Sequence, residues 1–133
     1  RLQKADSENL PFDEGTFDAV TVAFGVRNFE NLDKGLSEIH RVLTPGGQFV
    51  ILEFSKVKKF PLKQFYHLYF RYITPAIGKL FSNSSTAYSY LPNSVQVFPE
   101  GEEMCVILQK TGFKKVVCTS LSFGIASLYH CQK

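Results

Sequence analysis

The chain alternates short, nearly unbroken apolar runs with a stretch where apolar residues recur every three or four positions. Phe17–Ala23 (FDAVTVA) has the length and β-branched content of a buried strand. Asn31 then offers an N-cap side chain, and Asp33 places a negative charge in the first helical turn. Leu32, Leu36, Ile39 and Leu43 share one helix face. Pro45-Gly46-Gly47 is expected to end that helix, because proline cannot continue it and glycine accepts a left-handed cap. Residues 48–54 form a second apolar run of strand type. Two buried strands joined by a helical crossover predict a βαβ unit with parallel strands.

Before this unit, residues 1–16 are polar and turn-rich, predicting a strand end and a long surface loop. After it, residues 61–81 carry an aromatic-rich helical pattern that Pro75 should kink. Residues 82–92 read as a polar loop. A further helix is expected from Pro99-Glu100 to Gly112, with Met104, Ile107 and Leu108 inward. Lys114–Leu121 and residues 123–131 alternate well enough for two closing strands. The order predicts an open α/β sheet, whose crevice lies at the carboxyl ends of its strands, where residues 25–28 fall.

A chain of 133 residues suffices for one domain with a core. Its 44% hydrophobic and 20% charged content fits a folded protein, and a net charge of +3 is too mild to imply nucleic-acid binding. Cys105, Cys118 and Cys131 are an odd number with no Cys-x-x-Cys pair, which speaks against a metal site or a disulfide framework. They read as reduced thiols of a cytoplasmic protein. No apolar run approaches the ~20 residues needed to span a bilayer.

The turn Gly25-Val26-Arg27-Asn28 is the main chemical feature. Glycine there lets the backbone pass close to a ligand, and Arg27 supplies a permanent planar cation with five donors. From spacing alone, an ordinary surface ion pair for Arg27 and a turn-capping role for Asn28 stand beside that reading. Of the histidines, His40 and His130 are expected away from the crevice, and His67 is kept as an acid/base candidate.

Two phrases together resemble the UbiE/MenG/COQ5 family of quinone-biosynthesis C-methyltransferases: AFGVRNF at the end of the first strand, and RVLTPGG running on to Glu53-Phe54-Ser55. Later blocks agree, including Tyr88-x-Tyr90-Leu91-Pro92 and the closing Phe123-Gly124-Ile125-Ala126-Ser127-Leu128-Tyr129, so the resemblance spans nearly the whole chain. It implies the carboxy-terminal half of a class I S-adenosylmethionine (SAM) methyltransferase sheet, strands 4, 5, 7 and 6 of the order 3-2-1-4-5-7-6. The Gly-rich amino-terminal half that completes a SAM site is expected to lie outside these residues. Matched position by position, Asp6 and Ser7 correspond to the pair that meets the adenine, while Ala23 and Gly25 would line the cofactor pocket. Arg27 corresponds to the proposed catalytic arginine, and Asn28, Tyr66, Tyr69 and Tyr88 would meet a prenylated quinol. Thr44 and Ala23 depart from the usual Lys/Arg and from a serine seen in some relatives.

The implied reaction is SAM-dependent C-methylation of a prenylated quinol, most closely in the menaquinone pathway. The alternatives are ubiquinone-pathway, lipid or sterol methylation, or a non-catalytic scaffold. The aromatic segment 61–81 reads either as an amphipathic helix pair packed on the sheet or as a wall for the prenylated quinol. In the second reading, Lys56, Lys58, Lys59, Lys63 and Arg71 would make peripheral contact with the inner membrane face. Without strand 1, the edge of the first strand is expected to mediate self-association, and the fragment to be inactive alone.

Overall fold

A computed structural model describes residues 2–56, 64, 68, 95 and 97–133. Four strands form one sheet in the order β1-β2-β4-β3, where β1 is Phe17–Ala23, β2 Leu43–Phe54, β3 Lys114–Leu121 and β4 Ala126–Gln132. β1 and β2 run parallel, joined by helix α1 (Leu32–Val42), as the βαβ pattern predicts. β4 inserts antiparallel between β2 and β3. This is the expected order 4-5-7-6.

α1 begins where the sequence places it, with the Asn31 side chain accepting the Lys34 N–H at 3.0 Å. Leu36, Ile39 and Val42 form its buried face. The helix stops at Val42, short of the Pro-Gly-Gly. Pro45 disfavours helical backbone at Thr44, and Leu43 is already extended and paired with Phe17. β2 therefore starts five residues earlier than the apolar run implies. The register jumps from Phe17↔Leu43 to Ala19↔Gln48, so residues 44–47 loop out within the strand. Gly46 takes the left-handed conformation this needs (φ 82°).

Helix α2 (Glu102–Thr111) buries Met104 and Leu108 and ends on left-handed Gly112, whose N–H donates to the Gln109 carbonyl at 3.0 Å. Ser122, Phe123 and Gly124 then take three successive left-handed conformations between β3 and β4. That turn starts β4 at Ala126 rather than 123 and leaves Phe123 in solvent.

Alternate residues of β2, from Gly47 to Ser55, are buried. Phe49 and Ile51 join Leu36 and Ile39 of α1, Met104 and Leu108 of α2, and Tyr129 and Cys131 of β4 in one core, so both helices cover the same sheet face. Glu38 and Arg41 hold the amino-terminal loop on α1. Glu38 accepts the Leu10 N–H at 2.8 Å, and Arg41 donates to the carbonyls of Phe12 at 2.8 Å and Leu10 at 3.1 Å. The hydrogen bonds from Arg41 hold the Glu38 carboxyl down at about 2, and the Leu10 N–H adds to this.

Candidate functional site

β1 ends at Ala23, and Phe24 takes a left-handed backbone (φ 55°) that a bulky residue adopts only when its surroundings hold it there. Its N–H donates to the Leu52 carbonyl at 2.7 Å, and its ring stacks on Phe54 with centroids 4.4 Å apart. A single 3-10 turn, Val26–Asn28, follows with Val26 sunk into the core. The reversed chain brings Arg27 back over the end of β2. Arg27 Nη1 donates to the Phe24 carbonyl at 2.7 Å and to Glu53 Oε2 at 2.8 Å. The Arg27 backbone N–H points at Glu53 Oε1, a long contact at 3.4 Å. The guanidinium carbon lies 5.6 Å from the Phe54 ring centre, within cation–π range.

The Arg27 side chain is 10% exposed and that of Glu53 1%. A carboxylate so deep needs a charged partner, and here the two neutralise each other. Arg27 Nε is buried with no hydrogen-bond partner among the described residues. An orphaned buried N–H is rare and costs about 1–3 kcal/mol. Arg27 thus sits at the carboxyl end of the sheet with this donor still to be satisfied.

The polar row continues across the sheet. Glu53 pairs with Ser127 on β4, and Ser127 Oγ lies 2.6 Å from Ser55 Oγ. These serines border a cavity of about 270 Å³, with Glu100 and Gly101 before α2, Cys118 and Ser120 on β3, and Phe123 on the turn.

The structure brings several sequence-predicted residues to this end of the sheet. Ala23 is exposed opposite Leu52, Gly25 opens the 3-10 turn, and Asn28 is exposed at its end. Asp6 and Ser7 begin a tight turn in which Asp6 Oδ1 accepts the Glu8 N–H at 2.9 Å, so the polar-turn reading holds locally. The same turn is tied to the start of α1, because Glu8 Oε1 accepts the Asn31 N–H at 2.5 Å. The turn that carries Asp6 and Ser7 is thereby anchored beside the start of α1. Tyr66, Tyr69 and Tyr88 lie outside the described residues, as do His67, Lys58, Lys59, Lys63 and Arg71. His40 and His130 lie towards the other end of β2. His40 packs edge-on against Phe113, and His130 Nε2 is 2.7 Å from Gln48 Oε1. Burial pushes the His40 pKa down, and the Lys133 ammonium adds to this.

Glu53 was missed as a site residue, although a signal for it exists. It falls in phase with Phe49 and Ile51 on an alternating strand, so it must point inward, and a buried carboxylate demands a cation. Among the described residues no three His, Cys, Asp or Glu side chains group to hold a metal ion, and no helix is long and apolar enough to cross a membrane.

A parallel βαβ unit with an antiparallel strand inserted between β2 and β3 is the sheet of a class I methyltransferase. The fold matches a SAM-dependent methyltransferase of Thermotoga maritima at a TM-score of 0.66 and 19% identity, over 98% of this chain and 63% of that one. A SAM-dependent methyltransferase of Aquifex aeolicus matches at 0.64 and 16% identity, over 99% and 54%. The model of the ubiE/COQ5 methyltransferase family matches residues 1–133, and the chain belongs to that family. It is 48% identical over 130 residues to a demethylmenaquinone methyltransferase of Bacteroides fragilis, covering 98% of this chain and 53% of the relative. It is 42% identical over 129 residues to the ubiquinone/menaquinone biosynthesis C-methyltransferase UbiE of Rickettsia prowazekii, covering 97% and 52%. The chain spans about half the length of the curated relatives it matches.

Proposed function

We propose that this chain carries the arginine-bearing half of an enzyme that methylates a ring carbon of a prenylated quinol, demethylmenaquinol becoming menaquinol. The observation that carries the reading is the anchored Arg27 cation at the carboxyl end of the sheet, with its Nε–H lacking a partner among the described residues. The 48% identity to a demethylmenaquinone methyltransferase supports the choice of quinol.

S-adenosylmethionine, when bound, supplies an electrophilic methyl group on a sulfonium. Asp6, Ser7, Ala23 and Gly25 fit one side of it: an exposed carboxylate and a backbone turn for the adenine, and a small residue and a glycine at the strand end. The ribose contacts belong to the Gly-rich half that we place outside these residues. Attack by a ring carbon requires the quinol hydroxyl to give up its proton as the new bond forms. A guanidinium offers donors and no acceptor, so Arg27 is not the base. It donates to the quinol oxygen as negative charge builds there and holds a water that removes the proton. Glu53 and the Phe24 carbonyl fix the guanidinium so that no reorganisation is needed at that moment. Asn28 meets the ring edge, and Tyr66, Tyr69 and Tyr88 complete the quinol wall in this proposal.

In the full-length protein, Arg27→Ala should cut turnover about 10²–10³-fold, the usual effect of losing one such donor, while SAM affinity stays within a few-fold. Normal turnover would refute the assignment. We further place the enzyme in the cytoplasm, against the inner membrane face where a prenylated substrate resides, with three free thiols consistent with a reducing compartment. Sedimentation with anionic and neutral vesicles tests this, since binding indifferent to lipid charge would count against the basic residues.

A further inference from the structure

The three cysteines are 13 residues apart in sequence, but folding gathers them around Tyr129. Cys118 sits opposite Tyr129 in the β3–β4 register. The Tyr129 hydroxyl accepts the Gly101 N–H at 2.7 Å, and the Cys105 N–H donates to the Gly101 carbonyl at 3.1 Å. One short path therefore runs from the Cys118 strand through Tyr129 and Gly101 into the first turn of α2, where Cys105 sits. α2 packs on β3, and the Cys105 and Cys118 thiols are near enough to influence each other electrostatically. Their settings differ. Cys118 is exposed and lines the cavity, whereas Cys105 is half-buried against the core. Cys131 is fully buried, and its thiol points at the Phe49 carbonyl, 3.8 Å away.

We propose that Cys118 and Cys105 form a reversible dithiol–disulfide site, oxidised by a peroxide, with Cys118 attacking first and Cys105 resolving. This inference is independent of the methyl-transfer reading. The Cys118 sulfur attacks one peroxide oxygen, an S–O bond forms as the O–O bond breaks, and one water leaves. The Cys105 sulfur then attacks the Cys118 sulfur, the S–S bond forms as the S–O bond breaks, and a second water leaves. Two thiols lose two electrons and two protons, and the peroxide becomes two waters. Burial pushes the Cys105 thiol pKa up, with the nearby Cys118 adding to it, which suits a resolving rather than an attacking group. The bond ties the first turns of α2 to β3, and with them Gly101 in the cavity wall.

The test treats the full chain with hydrogen peroxide under native conditions, quenches it, and reads intact mass and chymotryptic peptides without reductant. The expected product is a monomer lighter by two hydrogens, with one cross-linked peptide pair holding Cys105 and Cys118, reversed by dithiothreitol. Cys118→Ser and Cys105→Ser should each abolish the loss, and Cys131→Ala should keep it. A link to Cys131, a bond between two chains, or oxygen added at Cys118 with no cross-link would each overturn the proposal.

Discussion

Glu53 Oε2 lies 2.8 Å from Arg27 Nη1 at the junction of two parallel strands, in a position where each charge depends on the other. Removing one partner strands the other in a water-poor setting, at a typical cost of about 3–5 kcal/mol. Glu53→Ala and Arg27→Ala should both lower the urea midpoint accordingly. Arg27→Met combined with Glu53→Leu should recover most of that stability, while the full-length enzyme carrying both changes stays inactive. Recovery of stability and turnover together would show the pair to be packing alone.

The Glu38–Arg41 clamp predicts an acid-sensitive attachment of residues 10–12. The Glu38 pKa is held at about 2, below the ordinary 4.5, so the folded state holds this proton less readily than the unfolded chain. Its contribution to stability is complete above about pH 4.5 and fades as pH falls through 2. Urea midpoints followed from pH 5 to pH 2 should drop, and Glu38→Gln should flatten that part of the profile. An unchanged slope in the variant would contradict the assignment.

Gly47 has no room for a side chain. A Cβ there would meet the Thr44 carbonyl at 2.9 Å and the Asp18 carbonyl at 3.2 Å, both backbone atoms that cannot move aside. Gly47→Ala should therefore cost about 1–3 kcal/mol in equilibrium unfolding, the usual range for an overpacked site. A neutral outcome would mean that the looped-out segment re-forms around the methyl group.

β1 has β2 as its one strand neighbour among the described residues, leaving its other side open for pairing. We expect the isolated chain to associate through this edge, and Thr21→Lys, a charge on the exposed part of the strand, to shift it towards monomer. Sedimentation velocity decides the matter. A wild-type monomer would remove the edge as the site of association.

Much of this fold was legible because periodicity and caps agree locally. The βαβ unit, the Asn31 cap and the Gly112 stop each follow from a few neighbouring residues. The misplaced boundaries arose where distant pairing decided the outcome. Leu43 reads as the last apolar residue of a helix face, yet it pairs with Phe17, a partner 26 positions away. Phe123 reads as strand and is held instead in a left-handed turn. Arg27 was legible in the loop, but its meaning depended on Glu53, and only strand register shows that the two meet.

The insertion of β4 between β2 and β3 has a consequence for the order of assembly. β4 is the last of the four strands to leave the ribosome, yet it occupies an interior slot and supplies Tyr129 and Cys131 to the core. Until it arrives, β2 and β3 have no bridge between them, and the serine that faces Glu53 is missing. A nascent chain can close the β1–α1–β2 unit early, but the sheet stays open until β4 emerges. Quality-control factors that recognise unpaired strands should therefore engage this protein until β4 has been made, and stalling between β3 and β4 should be more damaging than chain length alone implies.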